Sequence, residues 1–438
     1  MPPANGNPGP GPNVESLVQG LAPLGSFLSF SPPKIGPLEI AAVTEALSSG
    51  WITTGPRADE FERAMSGHLG TPGALAVSSC TAALHLGLKV MGLGPGQAIV
   101  TSPLTFVSTA HAAVYNGARP LLSDVSADTG NLDPDRLSDF LEKECHPGPD
   151  GLPVHGKTNL AVKALVPVHY GGHPADLPAL WEIAQRHNLG ILEDAAHALG
   201  SSLGGLPVGH PGHRPAGASG LPSLAAFSFY ATKNIATGEG GLLTSLDPAP
   251  LARARRLSAY GISDARRIWD RYAPQGTWAY DVEEVGFKCN FTDIQAALGL
   301  AQMSRFREFQ DQRATNAAIW ARALSPLGDL VELPAVRPGA GHSWHLFPLR
   351  LRTRALKIGR DHFIMALKAL NIGTSVMFIP IHFHGCYRDL AVPGDGSLAT
   401  AEDFFSREVS LPLSPAHPPE AIAEAAELVA RLLARHAR

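Results

Sequence analysis

Between residues 59 and 245 short apolar runs alternate with stretches of helical periodicity, and few folds accommodate that pattern. The apolar runs fall at 74–77, 97–101, 120–125, 161–168, 189–193, 224–230 and 241–245, with little strict in-out alternation. A strand that is apolar on both sides has no face to give to water, so both faces must be covered. The intervening periodic stretches, at 59–69, 81–91, 106–116, 177–187 and 250–258, supply that cover. The pattern predicts an α/β domain with a mostly parallel sheet between helices. A helix is also expected over 37–47, where Ile40, Val43 and Leu47 share one face and Ser48-Ser49-Gly50 closes it.

The rest of the chain is organised differently. A long helical stretch is expected at 293–323, followed by a Pro/Gly-rich connection at 324–342. Beyond it the sequence reads as strand 344–351, helix 359–370, strand 374–378 and a C-terminal helix at 419–435. The division falls near the long helix, giving a large domain over 37–310 and a small C-terminal α+β domain over 311–438. Residues 1–36 hold 14 glycines or prolines and read as a flexible leader with at most a short helical turn near Val14 to Leu21. Segments 146–157 and 204–222, with 6 and 10 glycines or prolines, read as surface loops without secondary structure of their own. The leader and these loops hold 30 of the chain's 83 glycines and prolines, so the remainder has nearly ordinary composition.

Charge excludes several functions. The 35 basic and 39 acidic residues leave a net charge of −4, with no basic field for a nucleic-acid backbone. No apolar run reaches the roughly 18 residues that span a bilayer, and the N-terminus lacks the basic and apolar regions of a secretory signal. Cysteines 80, 145, 289 and 386 form no C-x-x-C pair. A cytoplasmic protein without membrane or nucleic-acid partners is expected. No metal is expected either, because His382 and His384 pair on one face of an extended segment without a third ligand.

Ligands of open parallel sheets sit beyond the carboxyl ends of the strands. Three strand ends carry chemistry. The first runs into Ser78-Ser79-Cys80-Thr81 and a helix, where Thr81 or a neighbouring serine can cap and free backbone N–H groups can hold a phosphate. Taken alone, that is more often a plain N-cap. The second ends in Glu193-Asp194-Ala195-Ala196-His197, and a buried carboxylate there needs a partner such as a protonated ring nitrogen, an Arg or a helix end. The third, after Phe227-Ser228-Phe229, leads to Lys233, one of only nine lysines, placed between two apolar strands. Partial desolvation would leave its amine neutral and reactive toward a carbonyl, although a lysine drawn at random is usually an ordinary surface residue. Together the three make a phosphate cradle, an acid for a pyridinium nitrogen and an amine for an aldehyde, the protein parts of a pyridoxal 5′-phosphate site.

These motifs, with Ser49-Gly50-Trp51-Ile52-Thr53-Thr54-Gly55-Pro56, Thr105-Phe106-Val107-Ser108-Thr109, Val168-His169-Tyr170-Gly171-Gly172-His173-Pro174-Ala175-Asp176, Glu239-Gly240-Gly241 and Gly286-Phe287-Lys288-Cys289-Asn290-Phe291-Thr292-Asp293, make the chain resemble the DegT/DnrJ/EryC1/StrS family of pyridoxal-phosphate-dependent sugar aminotransferases. The likeness covers about nine tenths of the chain, from Phe30 to the C-terminus. It implies fold type I, with a seven-stranded type of sheet in the large domain. It also implies that Lys233 condenses with the cofactor aldehyde, Asp194 pairs with the ring nitrogen and His197 stands beside the phenolic oxygen. Cys80, Thr81 and Ser228 would hold the phosphate, Phe106 would stack on the ring, and Asn290 would reach the phosphate of a neighbouring subunit. The working form would then be a homodimer with shared sites. Tyr230 stands where the family often has His, and the Lys288-x-Asn290 spacing is similar to the UDP-4-amino-4-deoxy-arabinose aminotransferase subgroup. Lys233 is retained where the dehydratases of the family carry His, which favours transamination. The implied substrates are glutamate, returned as 2-oxoglutarate, and a keto sugar nucleotide. A cyclitol or other non-nucleotide ketone, or a catalytically silent cofactor-binding regulator, are the alternatives.

Overall fold

The computed structural model describes residues 14–148, 150–262, 280–393 and 397–438. Its main sheet follows the sequence pattern closely. Arg119–Leu122, Gln97–Thr101, Leu160–Val166, Gly190–Asp194 and Ser223–Ser228 lie side by side in that order, all parallel. Gly241–Ser245 joins Ser223–Ser228 antiparallel and in turn pairs antiparallel with Ala74–Val77. These are the seven expected strands. Val392–Pro393 adds a short parallel edge beside Arg119–Leu122. Most residues of the seven strands are buried, as expected for a sheet covered on both faces. One apolar layer gathers Leu84, Leu88, Ile99, Leu192 and Leu243; others gather Leu137, Trp181 and Ile191, or Phe61, Phe227 and Phe291.

The helix boundaries have local causes. Pro56–Leu69 starts at a proline and ends at left-handed Gly70, and its free N–H groups at Arg57 and Ala58 donate to the Asp293 carboxylate at 3.2 and 3.0 Å. Asp293 opens the helix Asp293–Ser304, capped by Thr292 and Gln295 in a reciprocal box. The single long helix expected at 293–323 is two helices, Asp293–Ser304 and Phe306–Leu324, divided at Arg305. Sequence reading missed Pro134–Lys143, which has a sound cap: the Asp133 carboxylate accepts from Asp135 and Arg136 N–H. It also missed the helix Ala399–Arg407.

The small C-terminal α+β unit has its own antiparallel sheet, Val331–Glu332, Phe347–Leu351 and Glu408–Leu411. Its core packs Trp320, Phe347, Phe363, Leu411 and Val429. The strand expected at 374–378 is absent as a strand; only an isolated bridge joins Ser375 to Ser410.

Three corrections concern the Gly/Pro-rich stretches. Residues 14–36 do not behave as a loose leader: Leu17, Leu24 and Leu28 are buried in the small unit's core, and Leu28 bridges to Ile372. Residues 1–13 lie outside the described residues. Segment 146–157 is not structureless, because Cys145–Pro147 and Pro153–His155 form a hairpin that extends the main sheet beside Leu160–Val166. Segment 204–222 likewise contains the strand Leu206–Pro207 and two short turns of 3₁₀ helix, with Val208 and Ala218 buried. In each case a few apolar residues among the glycines found a core that local composition does not report. Among the described residues no helix is long and apolar enough to cross a membrane.

Candidate active site

The ends of Ala74–Val77, Gly190–Asp194 and Ser223–Ser228 meet at one edge of the sheet, because Val77 and Ser228 both pair with Gly241 and Asp194 pairs with Ala226. Loops from both units enclose a cavity of about 640 Å³ there. Cys80, Thr81, Phe106, Asp194, His197, Ser228 and Lys233 all line it.

The helix Cys80–Val90 points its N-terminus at the cavity wall. Its cap is Ser79, whose Oγ accepts the Ala82 N–H at 3.1 Å, rather than Thr81. A Cβ on Gly241 would lie 2.3–2.5 Å from the Ser79–Cys80 peptide, so only glycine lets the strand pass so close to this turn. The Cys80 thiol is pushed well above its ordinary range, first by burial and then by the Asp194 charge. The helix end therefore does not activate it as a thiolate.

Neighbouring strand residues point to opposite faces. Glu193 turns away from the cavity, accepting from Gly209 N–H at 3.3 Å and pairing with His169 Nε2 at 3.1 Å. His169 Nδ1 accepts the Ala175 N–H at 2.9 Å, which places the ring proton on Nε2, toward Glu193. Asp194 faces the cavity. Burial raises its pKa, while the Thr109 hydroxyl at 2.6 Å, the Ala196 N–H at 3.2 Å, and the charges of Lys233 and His169 favour the carboxylate.

Lys233 follows a turn in which its own N–H donates to Tyr230 C=O at 2.8 Å. Burial pulls its amine from about 10.5 down to about 8, against the opposing pull of Cys80 and Asp194 and helped by the charge of Arg313. Next to it, Asn234 Nδ2 donates to Leu199 C=O and Ser343 C=O at 3.1 and 3.0 Å. The lysine loop is thereby fastened to both units.

His197 Nδ1 accepts the Gly171 N–H at 3.3 Å, so the neutral ring carries its proton on Nε2. Burial, then the charges of Lys233 and His169, hold it well below the ordinary imidazole range. Phe106 is 59 % exposed at the cavity wall, 6.0 Å from the Phe378 ring, an apolar surface open to a planar ligand.

Asn290 is the one expected residue outside this cavity. Its Nδ2 donates to Thr54 Oγ1 at 2.5 Å, and its backbone bridges to Val77. His382 and His384 do not act as a pair: His382 Nε2 meets Glu402 at 3.0 Å, while His384 lines the cavity. Sequence reading assigned no role to Thr109 or His345, whereas the family resemblance puts the stretch from Phe378 to His384 near the mouth of the site, and Phe378, Ile379 and His384 do line the cavity. Thr109 was within reach, since it lies one helical turn after Phe106 and shares its face. His345 comes from the small unit, which no local pattern places at the cavity.

Comparison with known proteins agrees with this geometry. The profile of the DegT/DnrJ/EryC1/StrS aminotransferase family matches residues 33–430. The spore coat polysaccharide biosynthesis protein SpsC of Bacillus subtilis is 40 % identical over 390 residues, 89 % of this chain and 92 % of that protein. The UDP-4-amino-4-deoxy-L-arabinose–oxoglutarate aminotransferase of Shewanella sediminis is 34 % identical over 395 residues, 89 % of this chain and 94 % of the relative. The crystal structure of the aminotransferase TlmJ from Streptoalloteichus hindustanus superposes with a TM-score of 0.79 at 30 % identity, covering 94 % of this chain and all of that one.

Proposed function

The chain belongs to the DegT/DnrJ/EryC1/StrS aminotransferase family, fold type I, and on that premise we propose that it is a pyridoxal 5′-phosphate-dependent aminotransferase that moves an amino group from glutamate to a keto sugar carried on a nucleotide. One observation carries the reading. A lysine with a lowered pKa, a buried carboxylate and a capped helix N-terminus converge on one cavity. The residues present fit the cofactor. The amine is half neutral near pH 8, the carboxylate is held toward ionisation by Thr109, and the helix end offers N–H groups to an anion.

When bound, pyridoxal phosphate supplies an aldehyde that condenses with amines and a ring that accepts the electron pair left when a proton leaves the donor α-carbon. Lys233 would hold the aldehyde at rest. With glutamate in its place, the neutral amine would take the donor's α-proton as base and give it up as acid at the former aldehyde carbon, on the other side of the shared nitrogen. Asp194 would keep the ring nitrogen protonated, and the Nε2–H of His197 would donate to the phenolic oxygen. The first N–H groups of Cys80–Val90, with Ser228, would hold the phosphate, and Phe106 would cover a ring face. With 2-oxoglutarate gone, the same groups would move the proton in the opposite direction for the keto sugar.

Asn290 lies outside the cavity of its own chain, and the family resemblance supports the reading that it serves the cavity of a second copy in a homodimer with shared sites. The SpsC and arabinose aminotransferase names support sugar chemistry, and the second supports a uridine-nucleotide carrier. The test is release of 2-oxoglutarate from glutamate by the cofactor-loaded protein and, in separate reactions without glutamate, consumption of 2-oxoglutarate with each of a panel of aminated sugar nucleotides as donor. Release without acceptance of any sugar nucleotide would leave an aminotransferase for a different ketone. No release would overturn the reading.

A further inference from the structure

One segment of the small unit touches both halves of the site. Ser343 is fully buried, and each of its polar groups is used. Its N–H donates to Gly172 C=O at 3.1 Å, its Oγ donates to His197 C=O at 2.8 Å, and its C=O accepts from Asn234 Nδ2 at 3.0 Å, beside Lys233. Leu346 N–H donates to Gly171 C=O at 3.0 Å, and the Gly171 N–H in turn reaches His197 Nδ1. Arg313 anchors the segment from behind through Trp344 C=O and Leu413 C=O, at 3.3 and 3.2 Å. Between these bonds His345, 2 % exposed, places its ring 4.3 Å from that of His197. Phe378 stacks on His197 at 5.5 Å. His345 Nδ1 has no hydrogen-bond partner, so hydrogen bonding through that nitrogen does not explain the residue.

We propose that Ser343-Trp344-His345 is a positioning strap that sets the plane and tautomer of His197 relative to Lys233, with the His345 ring as the face against which His197 is held. The inference rests on the role given to His197 above. The charged or titratable groups that act on His197 are Lys233 and His169; His345 is in turn affected by His197, Lys233, Arg313 and His342. Burial keeps both rings neutral, so the contact is one of packing rather than charge.

The test is long-range ¹H–¹⁵N correlation of histidine-labelled protein, with and without pyridoxal phosphate, together with the pH midpoint of the bound chromophore. Wild type is expected to show His197 as a single Nε2-protonated tautomer. His345→Ala should mix the tautomers and move the chromophore midpoint by about one unit, tenfold in proton affinity. His345→Phe, which keeps a flat aromatic ring, slightly larger and without the nitrogens, should restore both signals. Should His345→Ala fail to fold, Ser343→Ala, which removes the bond to His197 C=O, is expected to move the signals in the same direction. The strap is overturned if these variants fold and leave both signals at wild-type values. It is equally overturned if His345→Phe is as disturbed as His345→Ala, since the nitrogen itself would then be the working group. If wild type takes up no pyridoxal phosphate, the functional reading fails, while the tautomer comparison still decides the strap.

Discussion

Thr109 Oγ1 lies 2.6 Å from Asp194 Oδ2, a hydroxyl of one helix holding a carboxylate at the end of a strand 85 residues away. Thr105 Oγ1 is 2.7 Å from the same hydroxyl, so the donor is itself held in place. Burial alone would press Asp194 toward its neutral form, in which it could not stabilise a protonated ring nitrogen.

Thr109→Val removes that donor while keeping the shape. A hydrogen bond to a charged group contributes about 1.5–3 kcal/mol, so turnover should fall roughly 10- to 100-fold. Thr109→Ser should retain most of it. Steady-state kcat for the three proteins checks this, and a Val variant at wild-type rate would remove Thr109 from the site.

The Lys233 amine sets a pH dependence. With its pKa near 8 in the fold and near 10.5 in the unfolded chain, it binds fewer protons when folded between these values. Its burial therefore costs stability fully below pH 8, and that cost fades as pH rises toward about 10.5. In the cofactor-free protein, the rate of pyridoxal phosphate uptake should rise with a midpoint near pH 8, followed by absorbance. A midpoint near 10 would mean that the lysine is not desolvated.

Gly241→Ala should damage anion binding more than the sheet. Its Cβ would lie within 2.5 Å of the Ser79–Cys80 peptide, where backbone cannot move aside cheaply. The expected result is a folded protein with weakened affinity for inorganic phosphate and for the cofactor, measured by calorimetry. Undiminished phosphate affinity would place the anion elsewhere.

Glu408 offers a stability test one residue behind the cavity wall, since it holds the backbone of Met377. It is fully buried, accepts Met377 N–H at 2.9 Å and contacts Ser410 Oγ, with Arg360 the cation that acts on it. Burial raises its carboxyl from 4.5 to about 8. The folded protein thus binds more protons than the unfolded chain across that range, and stability falls as pH rises from about 4.5 to 8. Glu408→Gln keeps the acceptor and removes the titration. Its melting temperature should exceed that of wild type more at pH 8 than at pH 5, and equal gaps at both would show Glu408 to be ordinary.

The legible part of this protein lies where local pattern and tertiary environment coincide. Gln97–Thr101 and Gly241–Ser245 are strands within the limits their apolar runs predict, because a short run apolar on both sides has one good solution. Lys233, Asp194 and His197 could be picked out because each lies at or within a few residues of a strand's carboxyl end, where parallel sheets put their ligands. The misread segments had conflicting local signals. Proline and glycine around Pro153–His155 spoke for a loop, while a neighbouring strand edge offered hydrogen-bond partners that the segment itself does not announce.

The sequence by itself therefore determined the alternation of strands and helices, the chain order of cradle, acid and amine, and the family. Periodicity, capping and residue chemistry are written within a few positions of each other. Only the tertiary structure decided which hydroxyl supports Asp194, which tautomer His197 adopts and that Leu17, Leu24 and Leu28 belong to the small unit's core. Those outcomes depend on contacts such as Ser343 to His197, 146 residues apart, and on burial, which shifts proton affinities by an amount no local pattern carries.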